Sequence, residues 1–284
     1  MAKQKFTSPE TDERFRTCLE DFQAYLEFQN KSKNTSRAYL FAVRQFYELY
    51  QVMDQENLLF YKCYLIDNYK PQTVNLRIRA INCYVDFLNL PYSKLLMVKH
   101  RQRSFLENVI SQADYEYLKK CLLRDDKMTY YFIVRIMATT GLRVSELIQL
   151  QVEDIRRGYM TLISKGNRTR RVYIPKNIKR DCQKWLDHIG RTTGDVFLNR
   201  FGTRITATGI RNQLTNFAYR YNLDPSGIHP HSFRHLFAKN FIEKCSDIAM
   251  LSDILGHESI ETTRIYLHRS STEQQHIFNQ IVNW

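Results

Sequence analysis

The first 140 residues of the chain contain no glycine; the first is Gly141. Glycine supplies the positive-φ positions that tight hairpin turns need, so a long stretch without it favours helices over a sheet. Apolar side chains recur there at helical spacing, as in Phe15, Leu19, Phe22 and Leu26. This is the period of a helix that buries one face. The first part of the chain is therefore predicted to be a helical bundle.

The bundle is predicted to contain four helices, at 9–28, 35–51, 56–69 and 72–89. Pro71 suits the start of the last helix, and Asn34 is a candidate cap for the second. The helical pattern then weakens and the charge rises, which indicates a linker. The predicted organisation is a helical domain at 1–95, a linker at 96–108 and a second domain at 109–284.

The net charge of +13 is unevenly distributed. Residues 1–100 hold 14 Lys and Arg against 11 Asp and Glu, whereas residues 101–284 hold 28 against 18. This imbalance favours a polyanionic partner such as nucleic acid, although solubility is the simpler explanation of a basic surface. In the linker, Lys99 and Arg101 either contact DNA phosphates or are merely solvated.

Export, membrane insertion and zinc binding are not supported by the sequence. There is no run of 18 apolar residues and no apolar signal core at the start, so a cytoplasmic protein is expected. The six cysteines contain no CxxC pair and are expected to be reduced and buried.

The second part of the chain mixes helix and strand patterns. Two short runs rich in β-branched and aromatic residues, 159–164 and 171–175, flank a polar turn and predict a β-hairpin, with 196–200 as a third strand. Helices are predicted at 111–123, 127–139, 207–221, 230–244, 247–255, 260–268 and 272–282.

Two basic features of this part are suited to a phosphate. Arg143, in TTGLRVSEL, follows a glycine and opens a helix, where free backbone N–H groups favour an anion; a surface salt bridge to Glu146 is the alternative. The second basic feature is the hairpin turn, which either contacts DNA or is basic only for solubility. Its basic residues are Lys165, Arg168, Arg170 and Arg171.

Two histidine-containing segments follow. In HPHSFRH (229–235), His231 and Arg234 share the first helical turn, beside the positive end of the helix. His231 and His235 also have zinc-ligand spacing, but the HExxH glutamate and a third ligand are missing, so no metal is expected. In LGHESIETTRIYLH (255–268), His257 lies in a turn and Tyr266 two turns inside the next helix. Taken alone, Tyr266 is an ordinary position on an amphipathic helix.

Taken together and in order, these motifs resemble the tyrosine recombinase family, which includes phage integrases and Xer-like proteins. The resemblance covers about 105–270, and residues 10–90 agree only in their helical character. It implies a mainly α fold, with a four-helix core-binding (SAM-like) domain and an α+β catalytic domain that carries a small antiparallel hairpin, forming a C-shaped DNA clamp. All six catalytic positions of the family are filled, by Arg143, Lys165, His231, Arg234, His257 and Tyr266.

The resemblance also implies a reaction. Tyr266 attacks the scissile phosphate and forms a 3′-phosphotyrosine, Lys165 protonates the leaving 5′ oxygen, and exchange proceeds through a Holliday junction without a cofactor. Arg143 and Arg234 supply preorganised donors for the charge of the transition state. His231 is suited to accept the phenol proton, because an ordinary phenol is a poor nucleophile at neutral pH.

The DNA partner is expected to be a double-stranded core site with inverted repeats, bound by a dimer and assembled into a tetramer in the synapse. Arg211 and Asn212 lie on one side of the helix at 207–221, which either enters a major groove or is a core helix with a basic outer face. The last helix either docks on a neighbouring subunit or caps its own domain.

The chain is expected to lack an extra N-terminal domain for arm-type sites, as in simple recombinases. We favour a mobile-element role, in cointegrate resolution or in integration and excision, over Xer-type resolution of chromosome or plasmid dimers. A catalytically inactive DNA-binding accessory protein is the alternative from another class. The intact set of six catalytic positions argues against it.

Overall fold

The computed structural model describes residues 13–99, 109–163, 169–257, 259–267, 278–279 and 282. Contacts between Cα atoms divide the chain into two compact units, Met1–Gln102 and Arg103–Trp284. The described residues form helices and one two-stranded antiparallel sheet. The predicted mainly α fold with a small hairpin is therefore confirmed. No helix among the described residues combines the length and apolarity needed to cross a membrane.

The first unit contains four helices packed around an aromatic core. Phe22 meets the ring of Tyr84 edge-on at 4.9 Å, and Phe46 meets Tyr61 in the same way at 5.3 Å. Such pairs add to the energy of apolar burial. The helices are α1 (Glu13–Phe28), α2 (Lys33–Tyr50), α3 (Gln55–Asn68) and α4 (Pro71–Phe87).

Two helix starts in this unit are set by residues in or next to the first turn. Pro71 occupies the first turn of α4, as predicted. The predicted cap of α2 was wrong: Ser32, and not Asn34, accepts the backbone N–H of Thr35. Ser32 has extended backbone angles, which a cap requires, whereas Asn34 lies inside the helix.

Residues 91–99, here called the strap, are fastened to α4 by side-chain amides. Asn82 accepts the backbone N–H of Leu95 at 2.9 Å and donates to its carbonyl at 3.0 Å. Asn75 makes the same pair of bonds with Val98, at 2.8 and 2.9 Å. Because Leu95 is also buried, the strap packs as part of the first unit, and it includes residues 96–99 of the predicted linker.

The second unit contains nine described helices, one hairpin and a 3₁₀ turn. In the hairpin, β1 (Tyr159–Ile163) pairs with β2 (Thr169–Tyr173), and Met160 lies opposite Val172. A 3₁₀ turn, Ile265–Leu267, follows the last helix. The helices are α5 (Gln112–Arg124), α6 (Met128–Thr140), α7 (Val144–Leu147), α8 (Val152–Arg157), α9 (Lys176–His188), α10 (Ala207–Arg220), α11 (Pro230–Lys244), α12 (Ile248–Leu255) and α13 (Glu261–Arg264).

Three predicted elements of this unit differ in the structure. The third strand was wrong, because residues 196–200 form only an isolated bridge between Leu198 and Arg204. The helix predicted at 260–268 is a short α-helix followed by the 3₁₀ turn that contains Tyr266. Most of the helix predicted at 272–282 lies outside the described residues. All six cysteines are free, as expected, but only Cys121 and Cys182 are buried. Contrary to expectation, Cys63 is exposed, and Cys18, Cys83 and Cys245 are partly exposed.

Helix α11 connects two separate apolar clusters. Phe233 and Leu236 belong to the main core of the second unit. One turn further on, α11 contributes to a second group, here called the small cluster. The small cluster contains Ala238, Ile242, Leu251, Leu255 and Tyr266.

Candidate active site

The site begins at the end of α6, where the chain turns sharply. Gly141 has φ +66°, a left-handed conformation that ends the helix. A Cβ at this position would lie 2.6 Å from the ring of Phe237 on α11, so only glycine fits. Arg143 therefore begins α7 close to α11, and the carbonyl of Gly141 accepts a hydrogen bond from Arg234.

Arg143 is held by two partners. Its Nη1 donates to Glu146 Oε1 at 2.9 Å, and its Nη2 donates to the carbonyl of Gly256 at 3.0 Å. The predicted salt bridge is thus present, but it belongs to a network instead of an isolated surface pair. Arg170 joins this network by donating to Glu146 Oε2 at 2.8 Å.

Glu146 is the anion at the centre of these contacts. Its Oε2 also accepts the backbone N–H of Arg143 at 2.8 Å. Burial by itself would raise the pKa of this carboxyl, but that hydrogen bond and the charges of Arg170 and Arg143 outweigh it. The pKa of Glu146 is therefore lowered, and the carboxylate stays charged and fixes two guanidinium groups.

Arg234 is almost fully buried, with 4% of its surface exposed. Its Nη2 donates to the carbonyl of Leu255 at 2.8 Å and lies 3.0 Å from His257 Nε2. Burial, and then the charge of Arg143, lower the pKa of Arg234 to about 10. Together with the bond to Gly141, these contacts involve three of the five guanidinium N–H groups, which leaves two donors for a phosphate.

The protonation of His257 follows from its neighbours. Burial, and then the charge of Arg234, lower its pKa to about 4, so the ring is neutral at pH 7. A guanidinium has no acceptor, so Nε2 must accept from Arg234 and Nδ1 must carry the proton. Nδ1 then donates to the hydroxyl of the buried Thr263, 2.8 Å away.

Tyr266 lies at the edge of this group, with 8% of its surface exposed. Its hydroxyl lies 2.6 Å from Nδ1 of His235. Burial raises the pKa of Tyr266 to about 12, and burial lowers the pKa of His235 to about 4. At neutral pH the phenol is therefore protonated and donates to an uncharged imidazole.

His231 lies one helical turn before His235, and the ring centroids are 6.4 Å apart. The residue as a whole is exposed, although part of its ring is shielded from solvent. Partial burial of the ring lowers the pKa of His231, and the charges of Arg234 and Arg211 add to this effect. In the structure the phenol is bonded to His235, one helical turn from the residue expected to accept its proton.

The remaining predicted site residues are more scattered. Lys165, Arg168 and Arg101 lie outside the described residues. Lys99, Arg171, Arg211 and Asn212 are exposed, and the guanidinium of Arg171 stacks on Tyr159 at 4.3 Å. Arg170 differs from the expected DNA-facing side chain, because 11% of its side chain is exposed and it is paired with Glu146.

Three residues at the site received no functional role from the sequence: Glu146, His235 and Thr263. The sequence indicated Glu146 only as a surface salt-bridge partner of Arg143, three residues before it. That spacing does not indicate that Arg170 also donates a hydrogen bond to Glu146. Glu146 can bind both arginines only because the hairpin packs against α7 and brings Arg170 to it. Among the described residues, no group of three or more His, Cys, Asp or Glu side chains is placed to hold a metal ion.

A model of the phage integrase family matches residues 108–273 of the chain. The chain belongs to the phage integrase family. The matched range contains the whole cluster from Arg143 to Tyr266, and the predicted membership of the tyrosine recombinases is confirmed. This member of the phage integrase family is thus a site-specific recombinase enzyme.

Two tyrosine recombinases resemble this phage integrase family member, one over most of its length and one over about half. It is 28% identical to the tyrosine recombinase XerA of Pyrococcus furiosus over 257 residues, which cover 87% of this chain and 88% of that protein. It is 33% identical to XerC of Salmonella typhi over 141 residues, 48% of this chain and 47% of the other.

Solved structures with low sequence identity share the fold. The Tn1549 transposon integrase in complex with transposon right end DNA matches with a TM-score of 0.73 at 14% identity, covering 93% of this chain and 99% of that chain. XerH site-specific recombinase bound to difH substrate matches with a TM-score of 0.68 at 16% identity, covering 100% of both chains.

Proposed function

We propose that this recombinase cleaves and rejoins DNA strands at a core site, with Tyr266 as the nucleophile. One observation carries the proposal: Arg143 donates to the carbonyl of Gly256, Arg234 donates to the carbonyl of Leu255 and lies 3.0 Å from His257 Nε2, and the charge of Arg234 acts on the phenol of Tyr266. This arrangement supports phosphodiester cleavage, which requires fixed positive charge near the nucleophile.

The arginines bind the scissile phosphate. Arg143 and Arg234 direct their remaining N–H groups to the non-bridging oxygens, where negative charge grows in the five-coordinate transition state. These donors are already oriented by Glu146 and by backbone carbonyls, so little reorganisation is needed during the reaction.

The chemical step exchanges one phosphate ester for another. The Tyr266 oxygen bonds to phosphorus as the bond to the 5′ oxygen breaks, which yields a 3′-phosphotyrosine and a free 5′-hydroxyl. His231 accepts the phenol proton and Lys165 protonates the leaving oxygen. Because the number of ester bonds is conserved, a 5′-hydroxyl from another strand reverses the step through a Holliday junction without a cofactor.

The DNA-binding surface is proposed from the exposed basic residues. Arg211 and Asn212 on the outer face of α10 contact base edges in a major groove, and Arg171 contacts phosphates. Lys99, Arg101, Arg168 and Arg170 were also predicted to contact DNA. Of these, Arg170 is instead proposed to act through Glu146.

The assembly on DNA follows from the family. We propose dimers on inverted repeats and a tetramer in the synapse. Since the substrate is DNA, the protein is proposed to act in the cytoplasm.

Covalent capture tests the proposal. The protein is incubated with plasmids that carry the DNA flanking its gene, the reaction is stopped with detergent, and protein-linked fragments are sequenced. Wild type should give adducts at one core sequence, and Tyr266→Phe should bind that DNA without an adduct. An adduct formed by Tyr266→Phe would refute the choice of nucleophile. Absence of any wild-type adduct would favour the inactive accessory protein.

The mapped site also separates two biological roles. We propose a mobile-element role, in cointegrate resolution or in integration and excision, which predicts inverted core repeats inside or at the ends of an element that carries the gene. Resolution of chromosome or plasmid dimers is the second candidate. It is favoured by the identity to XerA over 87% of the chain, and it predicts a single site outside any such element.

A further inference from the structure

The hydroxyl of Tyr266 is held by a histidine that has no role in the proposed reaction. His235 Nδ1 lies 2.6 Å from the Tyr266 oxygen, and the two ring centroids are 5.7 Å apart. His235 follows Arg234 directly on α11 and stands one turn after His231. One of the proposed phosphate-binding residues, Arg234, and the residue that contacts the nucleophile thus lie on the same helix.

The Tyr266 hydroxyl needs this hydrogen bond to His235 because its ring lies among apolar side chains. The Tyr266 ring is buried in the small cluster, whose other buried members are all apolar. A buried hydroxyl without a hydrogen bond destabilises the folded state. Among the described residues, His235 is the hydrogen-bond partner of the Tyr266 hydroxyl.

We propose that His235 is a positioning residue for the nucleophile, which accepts the phenol's hydrogen bond and holds its oxygen beside Arg234 before a phosphate is attacked. This inference rests on the proposed function. It assigns His235 a task distinct from that of His231.

His235 positions the phenol but does not take its proton. The pKa values of the two groups, about 12 for Tyr266 and about 4 for His235, lie so far apart that proton transfer between them is strongly uphill. Because His235 is uncharged, the positive charge next to the phosphate comes from the arginines and not from this histidine. Its contribution is therefore geometric: the oxygen is oriented in advance, and misplacement of a reacting group by about 1 Å costs about 10²-fold in rate.

The hydrogen bond itself can be tested without DNA. In protein labelled with ¹⁵N-histidine, NMR should show His235 protonated at Nε2, with Nδ1 as an acceptor. The His235 signal is identified by its loss in His235→Asn. It should shift in Tyr266→Phe, which lacks the donor. If the His235 signal is the same in wild type and Tyr266→Phe, the contact is absent and the inference is overturned.

The kinetic test compares two substitutions at the same position. His235→Leu removes the acceptor, whereas His235→Asn keeps an oxygen acceptor on Cγ, where the histidine has Nδ1. Single-turnover adduct formation is measured at saturating concentrations of the captured core duplex. His235→Leu should react about 10- to 100-fold more slowly than wild type with an unchanged Kd for DNA. His235→Asn should recover most of the rate, and His188→Leu, at an exposed position on α9, is the matched control.

A modified substrate locates the defect on the nucleophile side. A 5′-bridging phosphorothiolate has a thiolate leaving group that needs no proton, so it should restore the rate of Lys165→Ala. It should not restore His235→Leu, since the phenol is still misplaced. Rescue of His235→Leu, an unchanged rate, or a faster rate would each overturn the inference. Failure of the proposed function would appear separately, as a wild-type protein that forms no adduct while the NMR contact is intact.

Discussion

Replacing Glu146 by glutamine should destabilise the active-site network. The two carboxylate oxygens accept three N–H groups, from the backbone and Nη1 of Arg143 and from Nη2 of Arg170. Glutamine keeps one oxygen and adds an NH₂ group, which would face guanidinium donors that cannot accept a hydrogen bond. Arg170, of which 11% of the side chain is exposed, would lose its counter-charge.

The size of the effect lies between two limits. Removing one partner of a buried ion pair costs about 3–5 kcal/mol, whereas an exposed pair contributes about 0.2–1 kcal/mol. Arg143 is 35% exposed and solvent replaces part of its contact, while Arg170 is mostly buried. We therefore expect Glu146→Gln to lower the free energy of unfolding by about 2–3 kcal/mol. For a unit of this size that corresponds to a Tm lower by about 4–12 °C.

The assay is urea and thermal unfolding of the full chain, with Glu243→Gln as the control. Glu243 is 59% exposed and lies 3.9 Å from Lys239, so its substitution should change stability by less than about 0.5 kcal/mol. The double variant Glu146→Gln/Arg170→Met should be more stable than the sum of the single effects predicts, by about 0.5–3 kcal/mol. Strict additivity, or a Glu146→Gln variant as stable as the control, would refute the network.

Three further outcomes are expected. Gly256→Ala should lower adduct formation at least 10-fold, because Gly256 has φ +63° and a Cβ would lie 2.8 Å from Arg170 Cζ; an active variant would contradict this packing. Asn82→Leu should speed amide hydrogen exchange at Leu95, which loses both of its bonds to that side chain. The folded-state pKa values of His235 and His257, about 4, lie below the unfolded value. The contribution of these two neutral histidines to the free energy of unfolding is therefore complete above about pH 6.5. It is lost as the pH falls toward 4, because the unfolded chain then binds protons that the folded chain does not. Urea unfolding between pH 7 and about 4.5, above the range of most carboxylates, should show this loss; a flat profile would contradict it.

Helices with a clear apolar period could be predicted from the sequence. The described ends of the four helices of the first unit lie within two residues of their expected bounds, because one face of each is buried and no glycine interrupts them. Residues 9–12 of the first predicted helix lie outside the described residues. Helix α9 was missed, although Ile178, Cys182, Trp185 and Leu186 recur at helical spacing. Its many charged residues and its position between two expected strands obscured that pattern.

The contacts of the site could not be predicted in the same way. Their motifs identify which residues are present, but not which side chains meet. Arg170 was expected on a DNA-facing finger, yet the register of the hairpin turns it toward Glu146. The pairing of Tyr266 with His235 likewise depends on the 3₁₀ turn packing against α11, which is a tertiary contact that no local pattern specifies.

The candidate site is built on both apolar clusters that α11 connects, and its parts are therefore expected to differ in the free energy at which they open. Arg143 begins a helix whose Val144 and Leu147 belong to the main core, whereas Tyr266 belongs only to the small cluster. Segments with fewer buried apolar contacts open at a lower free energy than the whole domain. The segment that carries Tyr266 is therefore expected to open at a lower free energy than α7 does. In the tetramer and with the nucleophile proposed above, reversible opening of this segment would let some protomers bind DNA while others cut it.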